Sequence, residues 1–196
     1  MLSYKESLEI LKETKALTEG HFILSSGLHS KQYIQCAKLL SFPKKAEIIC
    51  SSICDKIKSN FGNIDIILSP ALGGIVVGYE VGRQLNIETI FAERVDAKLA
   101  LRRGFEIKEN SNVLIVEDVI TTGKSALECL ELIKSSKSNL AGYACIIDRT
   151  NTESLIKEKI ISQLKFNIET FTKENIPNDL KKIKPIKPGS RKIANE

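Results

Sequence analysis

Residues 113–125 carry the densest chemistry in the chain: Val113-Leu114-Ile115-Val116, then Glu117-Asp118-Val119-Ile120-Thr121-Thr122-Gly123-Lys124-Ser125. The apolar run predicts a buried strand, and the polar stretch after it predicts a short loop opening a helix. Gly123-Lys124-Ser125 has the ending of a nucleotide P-loop, but that motif needs a glycine five residues before Gly123, where Asp118 stands. The P-loop reading fails there. What remains is a phosphate cradle: backbone N–H groups of Thr121 to Ser125, with the hydroxyls of Thr121, Thr122 and Ser125, at the positive end of the next helix. Glu117 and Asp118 would repel a phosphate they touched, so they must face another part of the ligand. The vicinal hydroxyls of a ribose suit them, because hydroxyls donate and carboxylates accept while the 5′-phosphate lies in the loop. The negative pair would also favour positive charge at the anomeric carbon as an anionic leaving group departs. An isolated acidic pair could instead end a strand, cap a turn or bind a metal; thirteen residues in register favour the sugar reading.

Two further segments hold charge suited to anions. The chain has only six arginines among 29 basic residues, and Arg94, Arg102 and Arg103 crowd into one stretch, Glu93 to Phe105. A guanidinium presents a planar fork to phosphate oxygens, which lysine does not, so this stretch reads as a diphosphate-binding loop or, failing that, an ordinary solvated one. Arg149 ends the run Ile146-Ile147-Asp148 and could take a carboxylate in a bidentate pair, or form a surface ion pair.

These residues need a frame. An opening helix is expected, with Ser3 and Glu6 at capping-box spacing and Leu8, Leu11 and Leu17 on one face. A small strand, turn and strand should follow, HFIL and KQYIQC flanking Ser25-Ser26-Gly27. Pro43 suits the first turn of a helix to about Phe61, with Ala46, Cys50, Ile53 and Ile57 on one side. The β-branched run at 64–68 predicts a fully covered strand, followed by the glycine-rich loop Ser69-Pro70-Ala71-Leu72-Gly73-Gly74, a helix to Leu85, and strands around ETIFAER, VLIV and YACIID. Apolar strands alternating with helices give the α/β class, a mostly parallel sheet flanked by helices. Ligands in such sheets sit at the strands' carboxyl ends, so the loops after residues 68, 94, 117 and 147 are where chemistry is expected.

At 196 residues with 42% hydrophobic content, one domain is expected over 1–196: a hood to about 40, a core of 41–150 and an extension of 151–196. Five cysteines without a C-x-x-C pair argue against a disulfide framework or zinc knuckle, and Cys50 and Cys54 read as small buried residues. No apolar run approaches ~18 residues, so no membrane partner is expected and the reading is a soluble, cytoplasmic protein. The net charge of +5 is concentrated in the tail: residues 173–196 hold seven basic and three acidic groups, leaving +1 elsewhere. Without interleaved aromatics this tail reads as a solvated terminus or subunit contact, and no nucleic acid is expected.

The segment at 113–125 resembles the signature of the type I phosphoribosyltransferases, which bind 5-phosphoribosyl 1-diphosphate. The signature is silent on the acceptor base. Gly20 to Gln35, Ser69 to Gly74, Glu93 to Phe105 and the terminal KPGSR resemble the branch of that family that uses orotate. The resemblance implies a homodimer with shared sites, Mg²⁺ held mainly through the diphosphate rather than by protein ligands, and a mobile loop that reaches into the neighbouring subunit. It places Glu117 to Ser125, with Leu72 and Gly73, on the activated sugar. Lys98 and Arg94 fall on the diphosphate with Arg102 and Arg103 assisting, and Lys98, Arg94 and Asp118 take the catalytic roles. Thr121, Arg149 and Ser26 fall on orotate, while His21 and His29 belong to the hood's structure. The chain departs from the branch at Val95, where some members have lysine after the arginine, and at Gly73, where some have lysine. Purine and uracil transfer, and a ligand-sensing regulator on the same fold, are the rival readings; the chain has a basic loop and no winged-helix segment, which disfavours the regulator.

Overall fold

The computed structural model describes residues 1–24, 26–150 and 154–188. Its centre is a six-stranded sheet: β3 (Ile66–Pro70), β4 (Glu88–Val95), β5 (Lys98–Leu101), β6 (Asn112–Ile120), β7 (Asn139–Asp148) and β8 (Ile160–Lys165), in spatial order β5-β4-β3-β6-β7-β8. All neighbours run parallel except the edge strand β5, which folds back on β4. The central strands β3 and β6 carry Ile66 to Leu68 and Val113 to Val116, all buried, as a sheet with both faces covered requires.

One face is covered by α1 (Tyr4–Glu13), α3 (Pro43–Asn60) and α4 (Gly73–Leu85), whose buried side chains form one cluster with Ile67, Leu114 and Val116. On the other face α5 (Lys124–Ser135) packs Ala126, Cys129 and Ile133 against Leu68, Val113 and Ile115. Strand alternation separates the two clusters, because successive residues point to opposite faces. The capping box is present, Ser3 receiving the Glu6 N–H and Glu6 accepting from the Ser3 backbone; such a cap contributes about 1 kcal/mol. Leu17 is not on this helix. The chain leaves it at Thr14, and Leu17 instead opens β1 (Leu17–Ile23).

A separate antiparallel sheet lies beside the core. It pairs β1 with β2 (His29–Ile34), and β2 with β9 (Thr170–Phe171) from the far end of the chain. The turn residue Gly27 sits at φ +82°, where a side chain would be strained; its predicted neighbour Ser25 lies outside the described residues. The short α2 (Cys36–Leu40) then joins this hood to α3.

Three expectations change. The strand read at 64–68 runs instead from Ile66 to Pro70, and the acids predicted to follow a strand lie within β6, which continues to Ile120. The charged stretch expected as an open loop is a hairpin, β4 turning into β5 at Asp96-Ala97, since its edge strand can still satisfy its backbone on one side. The basic tail, read as a solvated terminus or subunit contact, is exposed over 181–187, yet its backbone pairs with the hood: the Ile186 N–H donates to the His21 carbonyl at 2.8 Å, and the Ile23 N–H donates to that of Ile186 at 2.9 Å. Among the described residues no helix is long and apolar enough to cross a membrane.

Candidate active site

The carboxyl ends of β3, β4, β6 and β7 converge on one rim of the sheet, and the turns leaving them build the site. Its centre is the turn from β6 into α5. Thr121 and Thr122 are exposed, Gly123 takes φ +81° as the residue before α5, and Lys124 and Ser125 open the helix, with Ser125 half-buried. Gly123 is required twice over. Its backbone conformation disfavours a side chain, and a Cβ there would stand 2.7 Å from Cγ1 of Ile156. The loop is held from outside as well, by the Leu155 N–H donating to the Thr122 carbonyl at 3.0 Å. The start of α5 thus offers backbone N–H groups on a fixed support, the Lys124 N–H meeting Thr122 Oγ1 at 3.4 Å, an arrangement able to receive an anion.

The two acids leave β6 on opposite faces. Asp118 turns toward α4, where a Cβ on Gly73 would lie 2.6 Å from Oδ1, so a larger residue there would have to push that carboxylate aside. Its backbone carbonyl lies 3.8 Å from Cys36 Sγ, at the junction with the hood. Glu117 turns toward α5 and is 8% exposed, with Oε1 lacking any partner among the described residues. Burial, and then the neighbouring Asp118 charge, push the Glu117 carboxyl up to about 8. Burial likewise raises Asp118, against the opposing pull of backbone N–H groups. A buried carboxylate without donors is a site awaiting a partner. Val119 is half-buried, whereas the Ile120 side chain is buried in the core and its carbonyl accepts the Arg149 N–H at 2.8 Å. Ile120 therefore serves the sheet, and can meet a ligand only through its backbone.

That same hydrogen bond sets Arg149 beside Thr121 across the β6–β7 pair, bringing together two of the residues expected at the base. Burial lowers the Arg149 guanidinium, and its Nε has no partner among the described residues. Opposite stands Tyr33 of β2, whose hydroxyl is raised by burial and lowered in part by Arg149. Tyr33 packs on Phe22 at 5.6 Å between ring centres, and the Gln35 amide donates to its hydroxyl at 3.4 Å. The hood thus presents an aromatic side chain to the rim. Ser26 lies exposed in the β1–β2 turn, where its Oγ accepts the Leu28 N–H at 3.4 Å.

The segment Ser69 to Gly74, expected at the diphosphate, leads from β3 into α4; Leu72 is 84% exposed and Gly73 begins the helix beside Asp118. The basic hairpin is arranged differently. Arg94 pairs with Glu128 of α5 through both terminal nitrogens, at 2.9 and 3.2 Å, and also donates to the Ala97 carbonyl at 2.6 Å. Arg103 pairs with Glu93 at 2.7 and 3.1 Å and lies 5.8 Å from the centre of the Phe91 ring. The side chains of Lys98 and Arg102 are exposed and make no hydrogen bond or ion pair among the described residues; the backbones are paired, Lys98 with Val95 in the hairpin and the Arg102 carbonyl with the Phe105 N–H. Of the expected anion-binding groups, two are therefore occupied by carboxylates of their own chain.

Sequence reasoning missed Tyr33, Ile156 and Glu128. An aromatic in an alternating strand, an isoleucine in an extension and a glutamate on a helix face carry no local signal; only the fold brings them to the rim.

A parallel core with its carboxyl rim built from a β6–α5 phosphate turn and two acids defines a phosphoribosyl-binding enzyme class. The phosphoribosyl transferase domain family matches residues 41–177, and the chain belongs to it. Among curated proteins, the orotate phosphoribosyltransferase of Caldicellulosiruptor saccharolyticus is 45% identical over 186 residues, covering 95% of this chain and 96% of the relative. Among solved structures, an orotate phosphoribosyltransferase from Aeropyrum pernix matches with TM-score 0.71 at 20% identity, covering 81% of this chain and 92% of that one. An adenine phosphoribosyltransferase from Thermoanaerobacter pseudethanolicus matches with TM-score 0.59 at 16% identity, over 69% and 88%. At such identities the structural likeness speaks for the fold and leaves the base open.

Proposed function

We propose that the protein transfers the ribose 5-phosphate group of 5-phosphoribosyl 1-diphosphate to orotate, giving orotidine 5′-phosphate and diphosphate in pyrimidine biosynthesis. The near full-length similarity to orotate enzymes supports the base, and one observation carries the chemistry: the helix-opening turn at Thr121 to Ser125 follows two acids, Glu117 buried with Oε1 unpartnered among the described residues and Asp118 half-buried against Gly73. In this reading the 5′-phosphate lies on the N–H groups and hydroxyls of the turn, and the ribose hydroxyls donate to Asp118 and Glu117. The carboxylates also stabilise positive charge at the anomeric carbon as its bond to diphosphate breaks ahead of attack by the orotate ring nitrogen, with inversion. Arg149, with Thr121 beside it and Ser26 in the hood turn, receives the orotate carboxylate and ring oxygens.

Mg²⁺ fits this donor set, because Glu117 offers a buried oxygen without a partner among the described residues. Such a site suits an ion bound by one or two carboxylates and mostly by substrate phosphate. When bound, it would neutralise leaving-group charge.

The diphosphate itself falls to Leu72 and Gly73 of the α4 turn and to Lys98, Arg94, Arg102 and Arg103 of the hairpin. We place that hairpin in the site of a second subunit. Along α4, Leu72, Val76 and Tyr79 are 84%, 50% and 66% exposed at helical spacing, and Val95 at the hairpin tip is 37% exposed. An apolar stripe of this kind suits coverage by another copy. All five cysteines are free and buried, which suits a reducing cytoplasm.

The test is to supply the activated sugar with Mg²⁺ and each base in turn, following diphosphate release. Turnover with orotate alone is expected; turnover with hypoxanthine or uracil but not orotate would overturn the assignment.

A further inference from the structure

The C-terminal segment does not simply end beside the hood. From β9 on one edge of the hood sheet, the chain runs through a 3₁₀ turn at Lys173–Asn175 and the short α6 (Asn178–Lys181). It then reaches the opposite edge, where Ile186 bridges to Phe22 of β1. Residues 170–186 thus form a belt around the hood, touching β2 at one end and β1 at the other.

Apolar packing holds this belt weakly. Leu180 is buried, but Ile183 and Ile186 are 47% and 59% exposed, and a cavity of about 470 Å³ lined in part by Ser30, Gln32, Asn167 and Leu180 lies between belt and hood. The Lys31–Asp179 ion pair at 2.6 Å is exposed on both sides and contributes little. The buried attachment is a pair of imidazoles. His21 of β1 and His29 of β2 are 3% and 8% exposed, and their facing nitrogens, Nε2 and Nδ1, lie 2.7 Å apart. The other nitrogen of His21, Nδ1, lies 2.9 Å from the Ile183 carbonyl.

The proton positions follow. A carbonyl can only accept, so His21 Nδ1 carries hydrogen and donates to Ile183. In a neutral His21 ring Nε2 then accepts, so His29 Nδ1 donates to it. The result is a directed chain, from His29 through His21 to the belt, that ties both hood strands to the C-terminal segment at a buried point.

We infer that His21 and His29 are positioning residues: they bolt the belt across the hood and thereby hold the hood strands over the base. The inference rests on the proposal that orotate binds between Arg149 and the hood, where Tyr33 of β2 meets the rim. Neither histidine touches the reacting atoms. Their effect reaches the base through β1 and β2, so it falls on orotate binding and spares the sugar phosphate, which is gripped by β6 and α5.

The experiment compares full-length variants by separate KM measurements for orotate and for 5-phosphoribosyl 1-diphosphate, with kcat. His21→Phe keeps a ring and loses both hydrogen bonds; it is expected to raise KM for orotate about three- to tenfold, with kcat and the other KM nearly unchanged. Ile186→Pro removes the N–H that donates to the His21 carbonyl and is expected to act alike. The double variant should be no worse than the more affected single one, since both release one belt. His29→Leu should reproduce the defect and His29→Asn, whose amide N–H lies near the Nδ1 position, should restore normal KM; these two keep the test decisive if His21→Phe does not fold. An unchanged KM for orotate, fold-changes that multiply in the double variant, or equal defects in both His29 variants would overturn the bolt. Arg149→Met separates the two claims: if it leaves orotate binding intact, the proposed base site has failed; if it abolishes orotate binding while the histidine variants do nothing, only the bolt has failed.

Discussion

The β6–α5 turn and the β4–β5 hairpin are both rich in charge, yet they are built on opposite principles. The turn is supported from every side: β3 and β7 flank its strand, Ile156 closes on Gly123 and the Leu155 N–H holds the Thr122 carbonyl. Of its acids, Glu117 is buried with Oε1 unpartnered among the described residues, and Asp118 is half-buried against Gly73. The hairpin sits at the sheet edge, and two of its arginines are neutralised by glutamates of the same chain. A preorganised group is effective because it need not reorganise when charge develops, whereas a group held in an exposed ion pair is released at a cost of only about 1 kcal/mol. The turn is thus suited to gripping the sugar and the hairpin to arriving later.

Asp118→Asn tests the rigid half most severely: turnover is expected to fall by a factor on the order of 10² or more, with circular dichroism and thermal midpoint little changed. Near-normal turnover would break the comparison. Lys98→Ala should cost about tenfold or more in turnover if the exposed ammonium meets the leaving group. Mixing it with Asp118→Asn sharpens the point. Regained activity in hybrid dimers means one subunit's hairpin completes its neighbour's site, while none means that the hairpin acts in its own subunit.

Gly73→Ala attacks the contact between the β3–α4 turn and the acid. With a Cβ 2.6 Å from Asp118 Oδ1 something must shift, and a loss of about 1–3 kcal/mol in stability is expected, measured by denaturant unfolding, together with weaker binding of the activated sugar.

The smallest effect concerns protons. Glu117 holds its proton more tightly folded than unfolded, so its contribution to stability is present below its ordinary value of 4.5 and is lost as pH rises through about 8. Glu117→Gln should flatten that decline in chemical denaturation across this window, by at most a few kcal/mol. Binding of the Mg²⁺–sugar complex near neutral pH should release a proton, seen as a dependence of binding heat on the buffer's ionisation enthalpy. No proton release would mean that Glu117 does not ionise on meeting the ligand.

Much of the site was legible because its residues are contiguous. Glu117 to Ser125 lie on one strand and one turn, and their spacing alone implied a cradle with acids ahead of it. The helix from Pro43 was likewise plain from its buried stripe at Ala46, Cys50, Ile53 and Ile57. The hairpin was misread as an open loop because an edge strand needs only one partner, so its pattern is not that of a buried strand. The pairing of Ile186 with β1 was not legible because backbone pairing requires no apolar periodicity, only an unpaired edge.

By itself the chain determined its class and its candidate sugar-binding segment, since alternating buried strands and helices and a contiguous polar turn are local properties of the polypeptide. Only the tertiary structure decided that Asp118 lies against Gly73, that Arg149 stands beside Thr121 and faces Tyr33, that Arg94 is held by Glu128, and that His21 and His29 tie the C-terminal segment to the hood. Those pairings join residues tens to more than a hundred positions apart. They are selected by sheet order and by the face each side chain takes, which no local pattern records.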